Sequence, residues 1–231
     1  MNFPKVLVAA PVNERKSYCI QDYLDNNKQL SYPNKQFYFV DNSKDEKWGI
    51  RTIGSQGLEC NYQEPYGRNQ NYITLSYEDI RIRAIKGNFD FLFLKESDIL
   101  TPPNIIEEFL SYNSPIVTAN YFIGQGEKSR LLKMEINDEP FTIATNRNIV
   151  GEENFLDYVQ ETNRSSMHGM GCLFLHRSVF TKFHFHVSPN DPSHCDTYFW
   201  FDIKAAGIPV VVHPVIVKHL NSSWQSITDS N

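Results

Sequence analysis

The sequence predicts an α/β domain built on a mostly parallel sheet. Three observations carry that prediction. Short, largely apolar runs recur along the chain, segments of helical pattern separate them, and polar or turn-forming residues follow directly on each run. Strands apolar on both faces belong to a sheet covered on both sides, whereas a half-solvated antiparallel sheet alternates apolar and polar positions. The 231 residues suit one such domain, long enough to bury a core without disulfides or a structural metal.

Taken in order, residues 5–10 (KVLVAA) form the first apolar strand, bounded by Pro11. Residues 16–28 have a polar helical pattern. Residues 36–40 (QFYFV) form a second strand, closed by the turn-forming Asp41-Asn42-Ser43. The stretch 44–72 carries Gly and Pro and reads as a long surface connection. Residues 76–86 make an amphipathic helix with Ile80, Ala84 and Tyr77 turned inward. Residues 89–94 (FDFLFL) form the most apolar strand, which stops at Lys95-Glu96-Ser97-Asp98. Pro102 and Pro103 then open a helix over 104–112, where a missing N–H is harmless in the first turn. Residues 115–120 are a further strand, and 124–165 are polar and weakly patterned. A strand over 171–175, a helix over 196–206 closed by Gly207, and a strand over 209–212 complete the chain.

Composition narrows the partners. A net charge of −5 gives no electrostatic case for a nucleic-acid backbone. Cys19, Cys60, Cys172 and Cys195 are widely spaced, form no CxxC pair, and read as free buried thiols in a reducing compartment. The amino-terminal run is too short for a signal peptide, and no apolar stretch is long enough to span a bilayer. The expected location is therefore cytoplasmic, without integral membrane contact.

The chemistry-bearing residues cluster at strand ends. Ligands of open α/β sheets bind beyond the carboxyl ends of the strands, where Glu96-Ser97-Asp98 lies. Two acids separated by one residue can converge on a hard cation, Mn²⁺ or Mg²⁺, that bridges a diphosphate; alternatively they simply face water. Asp41 can accept a hydrogen bond from a base or ribose, or close its strand as an Asx-turn. Asp196 starts a helix, as a cap or as a general base on an acceptor hydroxyl. His219 follows the last strand and can complete a metal site. Gly169 and Gly171 allow either a close backbone approach to a ligand or a bulge. His184, His186, His194 and Cys195 match no standard closed zinc spacing.

The succession of these segments resembles the GT-A glycosyltransferases, particularly family-2-like members. It runs from Pro11-Val12-Asn13-Glu14 through Asp41-Asn42-Ser43, Glu96-Ser97-Asp98, Gly169-x-Gly171 and Asp196-Thr197-Tyr198-Phe199 to His219, over nearly the whole chain. The resemblance implies a GT-A, Rossmann-like fold: a mostly parallel central sheet flanked by helices, with a smaller acceptor-side mixed region. It implies one domain over 1–231, with a nucleotide-sugar half at about 1–120 and an acceptor and catalytic half at about 121–231. Donor contacts then fall to Pro11, Val12, Glu14, Asp41, Ser97 and Gly171, with Arg81 or Arg83 reaching phosphate. Glu96, Asp98 and His219 would hold Mn²⁺ or Mg²⁺, with Glu96 in place of the usual first aspartate. Asp196 would be the base, with Cys195 where the family often has glutamate.

The implied reaction is transfer of a sugar from a nucleoside-diphosphate sugar to an acceptor hydroxyl, with inversion. The acceptor stays open among glycan, lipid, protein and modified base, and the segment 124–165 is expected to help choose it. Two other readings stay open. A nucleotidyltransferase would bring a Gly-rich phosphate loop after the first strand; the chain has none there, although Arg15 and Lys16 follow. A catalytically inactive nucleotide- or sugar-binding module would bind without turnover.

Overall fold

A computed structural model describes residues 3–67, 69–123, 130–131, 134–136, 143–144, 166–188 and 193–220. The amino-terminal part is a run of parallel strands. β1 (Val6–Val12) pairs in parallel with β2 (Lys35–Asp41), and β2 pairs in parallel with β3 (Glu59–Tyr62). β4 (Phe91–Lys95) lies on the other side of β1, again parallel. The chain thus winds one way through β1, β2 and β3 and then reverses to β4. β1 and β4 pair only over Val6–Ala9 and Phe91–Leu94, so beyond Ala9 the two strands part at this reversal. That is where doubly wound sheets open a ligand crevice.

The sheet continues past β4 through β11 (Cys172–His176), which is antiparallel to both β4 and β6 (Ile116–Ile123). β12 (Val210–His219) is parallel to β6, and β5 (Ile99–Leu100) closes the edge antiparallel to β12. The order is β3-β2-β1-β4-β11-β6-β12-β5, with β7 (Arg130–Leu131) on β6. A small second sheet holds β8 (Met134–Ile136), β9 (Ile143–Ala144) and β10 (Ser166–Met167). The remainder of 124–165, to which acceptor choice was assigned above, lies outside the described residues.

Both faces of the sheet are covered, as wholly apolar strands require. Leu7, Ala9, Leu92, Leu94, Leu173 and Leu175 face one side. There they pack under α3 (Asn69–Lys86), α5 (Arg177–Phe180) and α6 (Cys195–Ala205). Val6, Val8, Phe93, Val117 and Phe174 face the other side, under α4 (Ile105–Ser111). α1 (Ile20–Lys28) and α2 (Trp48–Thr52) cover the end of β1 and β2 through Tyr23, Leu24 and Trp48. Among the described residues no helix is long and apolar enough to cross a membrane.

Two elements depart from the sequence expectation. The stretch 44–72 is not a plain connection: it contains α2, a 3-10 turn at Gly54–Gln56, and the edge strand β3. β3 alternates exposed and half-buried positions, so it lacks the apolar run that marks the inner strands. Nor does the buried strand stop before Lys95: that residue is the last of β4 and is fully buried. The alternation of β4 turns it away from the Leu92–Leu94 face and towards α1, where its Nζ donates to Asn26 Oδ1 (2.7 Å) and Asn27 Oδ1 (2.6 Å). The ammonium also lies over the Tyr23 ring, and Tyr23 Oη donates to the Lys95 carbonyl (2.8 Å). Burial pulls the Lys95 pKa down from the usual lysine value to about 7.

Candidate active site at the carboxyl end of the sheet

The period of two that buries Leu92 and Leu94 under α3 carries Glu96 to the same side. There Tyr77 Oη of α3 donates to Glu96 Oε1 (3.0 Å). Burial, and then the neighbouring Asp98 charge, raise the Glu96 pKa above the ordinary carboxylate value. The backbone turns directly after, with Ile99 N–H donating to the Glu96 carbonyl (2.9 Å). Ser97 is buried, and its carbonyl accepts from the Cys19 thiol (3.5 Å).

Asp98 is 1% exposed and is reached from both ends of the chain. β5 pairs Ile99 with His219, which sets His219 Nε2 3.1 Å from Asp98 Oδ2; Leu220 N–H donates to the Asp98 carbonyl (2.7 Å). From the other end, Lys16 ends the 3-10 turn Glu14–Lys16 just after β1, and its Nζ forms an ion pair with the same Oδ2. Burial works to raise the Asp98 pKa, but the His219 hydrogen bond and the Lys16 and His219 charges outweigh it and hold it below the ordinary value. The other oxygen, Oδ1, is buried without a hydrogen-bond partner.

Tyr121 of β6 packs beside this centre. Its ring meets His219 edge to face at 5.1 Å. Burial, then the charge of Glu96 and more weakly those of Asp98 and Asp196, lift its phenol well above the usual tyrosine pKa. The Tyr121 hydroxyl accepts the Gly171 N–H (3.1 Å). A Cβ on Gly171 would sit 2.7 Å from that hydroxyl oxygen, and one on Gly169 only 2.0 Å from it. The two glycines therefore make room for Tyr121. The close approach that the paired glycines predict is thus made, in this structure, by a side chain of the protein.

Asp196 lies in the first turn of α6, whose N-cap is His194; Asp196 is thus inside the helix and not its cap. Its Oδ1 accepts the Thr197 N–H (2.8 Å), and burial raises its pKa above the ordinary aspartate value. A partly buried carboxylate of raised pKa is a stronger proton acceptor than a solvated one.

The remaining predicted residues are placed as follows. Pro11 and Val12 end β1 opposite Val40 and Asp41. Glu14 N–H donates to Ser43 Oγ (2.8 Å), and Asn13 Nδ2 donates to the Asn42 carbonyl and Oδ1 (both 2.8 Å), so the two loops form one rim. Asp41 is 1% exposed: Oδ1 accepts from the Ser43 N–H (3.0 Å) and hydroxyl (2.5 Å), and Oδ2 from the Gly49 N–H (2.7 Å). That is Asx-turn geometry, and burial raises its pKa. The arginines of α3 are directed elsewhere. Buried Arg81 binds Glu78, the Phe180 carbonyl (2.9 Å) and His184 (3.0 Å), locking α3 to α5. Arg83 pairs with Glu59 of β3 (2.8 Å).

The proposed metal trio is brought together only in part. Asp98 and His219 bond to each other, while Glu96 is turned to Tyr77. Among the described residues no group of three or more His, Cys, Asp or Glu converges as a set of metal ligands. The residues still fit a cation such as Mg²⁺ or Mn²⁺, which keeps several waters and needs only one or two carboxylates besides substrate phosphates. The bare Asp98 Oδ1 is an acceptor of the kind such a cation takes.

Comparison with known proteins adds the fold. No protein-family description and no curated protein matches the chain in sequence. Solved structures do match in shape. The mannosyltransferase PcManGT from Pyrobaculum calidifontis, in complex with GDP-Man and Mn²⁺, superposes with TM-score 0.63 at 13% identity over 98% of this chain. The chain has the GT-A glycosyltransferase fold. TarS residues 1–349 from S. aureus match with TM-score 0.58 at 11% identity over 93% of this chain, and similarly in complex with UDP-GlcNAc (TM-score 0.57). The chain spans 60% of the length of PcManGT and of TarS 1–349.

Lys16, Tyr77 and Tyr121 are the site residues that sequence reasoning missed. Lys16 and Tyr77 were visible as residues but not as partners of Asp98 and Glu96, because those contacts span 82 and 19 positions of sequence. The paired glycines signalled a close approach; nothing in the sequence said that Tyr121 makes it.

Proposed function

We propose that this chain transfers a sugar from a nucleoside-diphosphate sugar to an acceptor hydroxyl, with Asp196 as the general base and inversion at the anomeric carbon. The observation that carries this reading is the carboxylate pair Glu96 and Asp98 at the turn after β4, where Asp98 Oδ1 is buried without a hydrogen-bond partner. In a sheet of this topology, that edge is where a nucleotide binds. The neighbours of this fold that hold GDP-Man or UDP-GlcNAc support the same reading.

The rim made by Pro11, Val12, Glu14 and the Asp41–Ser43 turn takes the nucleoside, with Asp41 shaping the rim through Ser43 and Gly49. Glu96 and Asp98 would hold Mn²⁺ or Mg²⁺, which when bound neutralises charge on the departing diphosphate. His219 orients Asp98, and Tyr77 orients Glu96. Asp196 accepts the proton of the acceptor hydroxyl as that oxygen bonds to the anomeric carbon and the bond to the diphosphate breaks. Its raised pKa suits that task.

The test is Asp196→Asn. The variant should bind nucleoside diphosphate as the wild type does and transfer sugar about 10²-fold or more slowly, the usual scale for a lost general base. Full transfer by Asp196→Asn would remove the base assignment. A product anomer of the same configuration as the donor, read by proton NMR, would remove inversion.

A further inference from the structure

Lys16 is a basic residue placed on an acid that the proposed reaction needs. It follows β1 at the sheet's reversal point, its side chain is 27% exposed, and its ammonium pairs with Asp98 across 82 positions. Burial works against the ammonium, yet the adjoining Asp98 carboxylate holds the Lys16 pKa above the ordinary lysine value. The pairing is lopsided. Lys16 and His219 both engage Oδ2, while Oδ1 stays buried and unpartnered. A bare buried acceptor costs about 1–3 kcal/mol, a cost that a cation seated on Oδ1 would relieve. Lys16 is also held at the end of a short 3-10 turn with no buried residue, so its long side chain can swing without disturbing the core.

We propose that Lys16 is an exchangeable counter-ion: it neutralises Asp98 while the site lacks donor and metal, and turns to the donor's diphosphate when a divalent cation takes Asp98. The inference rests on the transferase reading above and adds a diphosphate-binding residue to it. One positive charge is exchanged for another at Asp98, and the released ammonium stays within reach of the incoming diphosphate charge. No bond is made or broken, and the proton stays on Lys16 throughout.

The test uses the full chain and binding alone. Free Mn²⁺ is titrated by electron paramagnetic resonance in the absence of nucleotide, for wild type, Lys16→Met and Lys16→Arg. Removing a competing charge at contact distance should raise Mn²⁺ affinity about tenfold in Lys16→Met, while Lys16→Arg stays near wild type. Calorimetry with GDP and UDP at saturating Mn²⁺ should then show the preferred diphosphate binding about tenfold more weakly to Lys16→Met, because one charge-assisted phosphate contact is gone. Lys16→Gln repeats both arms should the methionine variant fold poorly. Mn²⁺ affinity that is unchanged or weaker in the uncharged variants would overturn the exchange. Diphosphate affinity that is unchanged would overturn the second role. If wild type binds neither diphosphate with Mn²⁺, the transferase reading falls together with this inference. If it binds one and the variants match it, only the inference falls.

Discussion

Lys95 offers a quantitative check on the packing behind the site. Its ammonium is fully buried between β4 and α1, with its pKa near 7 instead of 10.5. The folded chain therefore binds fewer protons there than the unfolded chain across the interval between those values. Stability must rise with pH through that window, and the contribution is lost as pH falls through the folded value. At about pH 7 the unfolded lysine is protonated and the folded one is half protonated; at about pH 9 the folded amine is neutral. Integrating the proton difference over those two units gives a rise on the order of 2 kcal/mol. Lys95→Met removes the titrating group while keeping much of the volume. Urea denaturation of both proteins at several pH values in that window, with a chelator present, gives the comparison. The wild type should gain about 2 kcal/mol relative to the variant between the two ends. Parallel stability profiles would refute the buried, neutralisable amine and the α1–β4 packing that creates it.

Other predictions concern residues whose roles the structure separates. Arg81→Ala should cost about 3 kcal/mol or more, because it takes the guanidinium from Glu78, leaving only the Phe185 N–H and His184, and strips the Phe180 carbonyl of its side-chain donor. Arg83→Ala, which breaks a more exposed pair with Glu59, should cost at most about 1 kcal/mol. Equal losses in chemical denaturation would contradict that division. Gly169→Ala should destabilise by about 1–3 kcal/mol through collision with the Tyr121 hydroxyl, and Tyr121→Phe in the same chain should recover part of the loss. A strictly additive double-mutant cycle would show that the glycine does not serve Tyr121. Tyr77→Phe removes the hydrogen-bond donor to Glu96 and should weaken metal-dependent diphosphate binding while leaving Tm within a few degrees; binding equal to wild type would show that Tyr77 does not orient Glu96.

Much of the fold was legible because apolar runs and helical periods are local signals. The strands around Val6–Val12, Lys35–Asp41 and Phe91–Lys95 announced themselves by largely apolar stretches, and α6 by the Gly207 that follows it. β3 did not, because an edge strand needs no inner apolar face, and β5 is only two residues long. The acidic triplet and Asp196 were legible from their places after a strand and at a helix start. What local pattern withholds is long-range partnership. The charge of Arg81 reads as a phosphate ligand until Glu78 and the Phe180 carbonyl are seen to take it up. For Asp41 the sequence offered both a ligand carboxylate and an Asx-turn, and the bonds from Ser43 and Gly49 show the turn. Lys16 shows no purpose until β12 and the first loop meet at Asp98.

The central claim is that Glu96 and Asp98 form a metal-linked nucleoside-diphosphate site. A thermal-shift panel of nucleoside diphosphates and nucleotide sugars, each with Mn²⁺, Mg²⁺ or EDTA, tests it most directly on wild type, Glu96→Ala and Asp98→Ala. The account predicts a rise in Tm with one nucleotide base, present only with metal and lost in both variants. A chain that no member of the panel stabilises, or whose stabilisation survives EDTA and both substitutions, would contradict it.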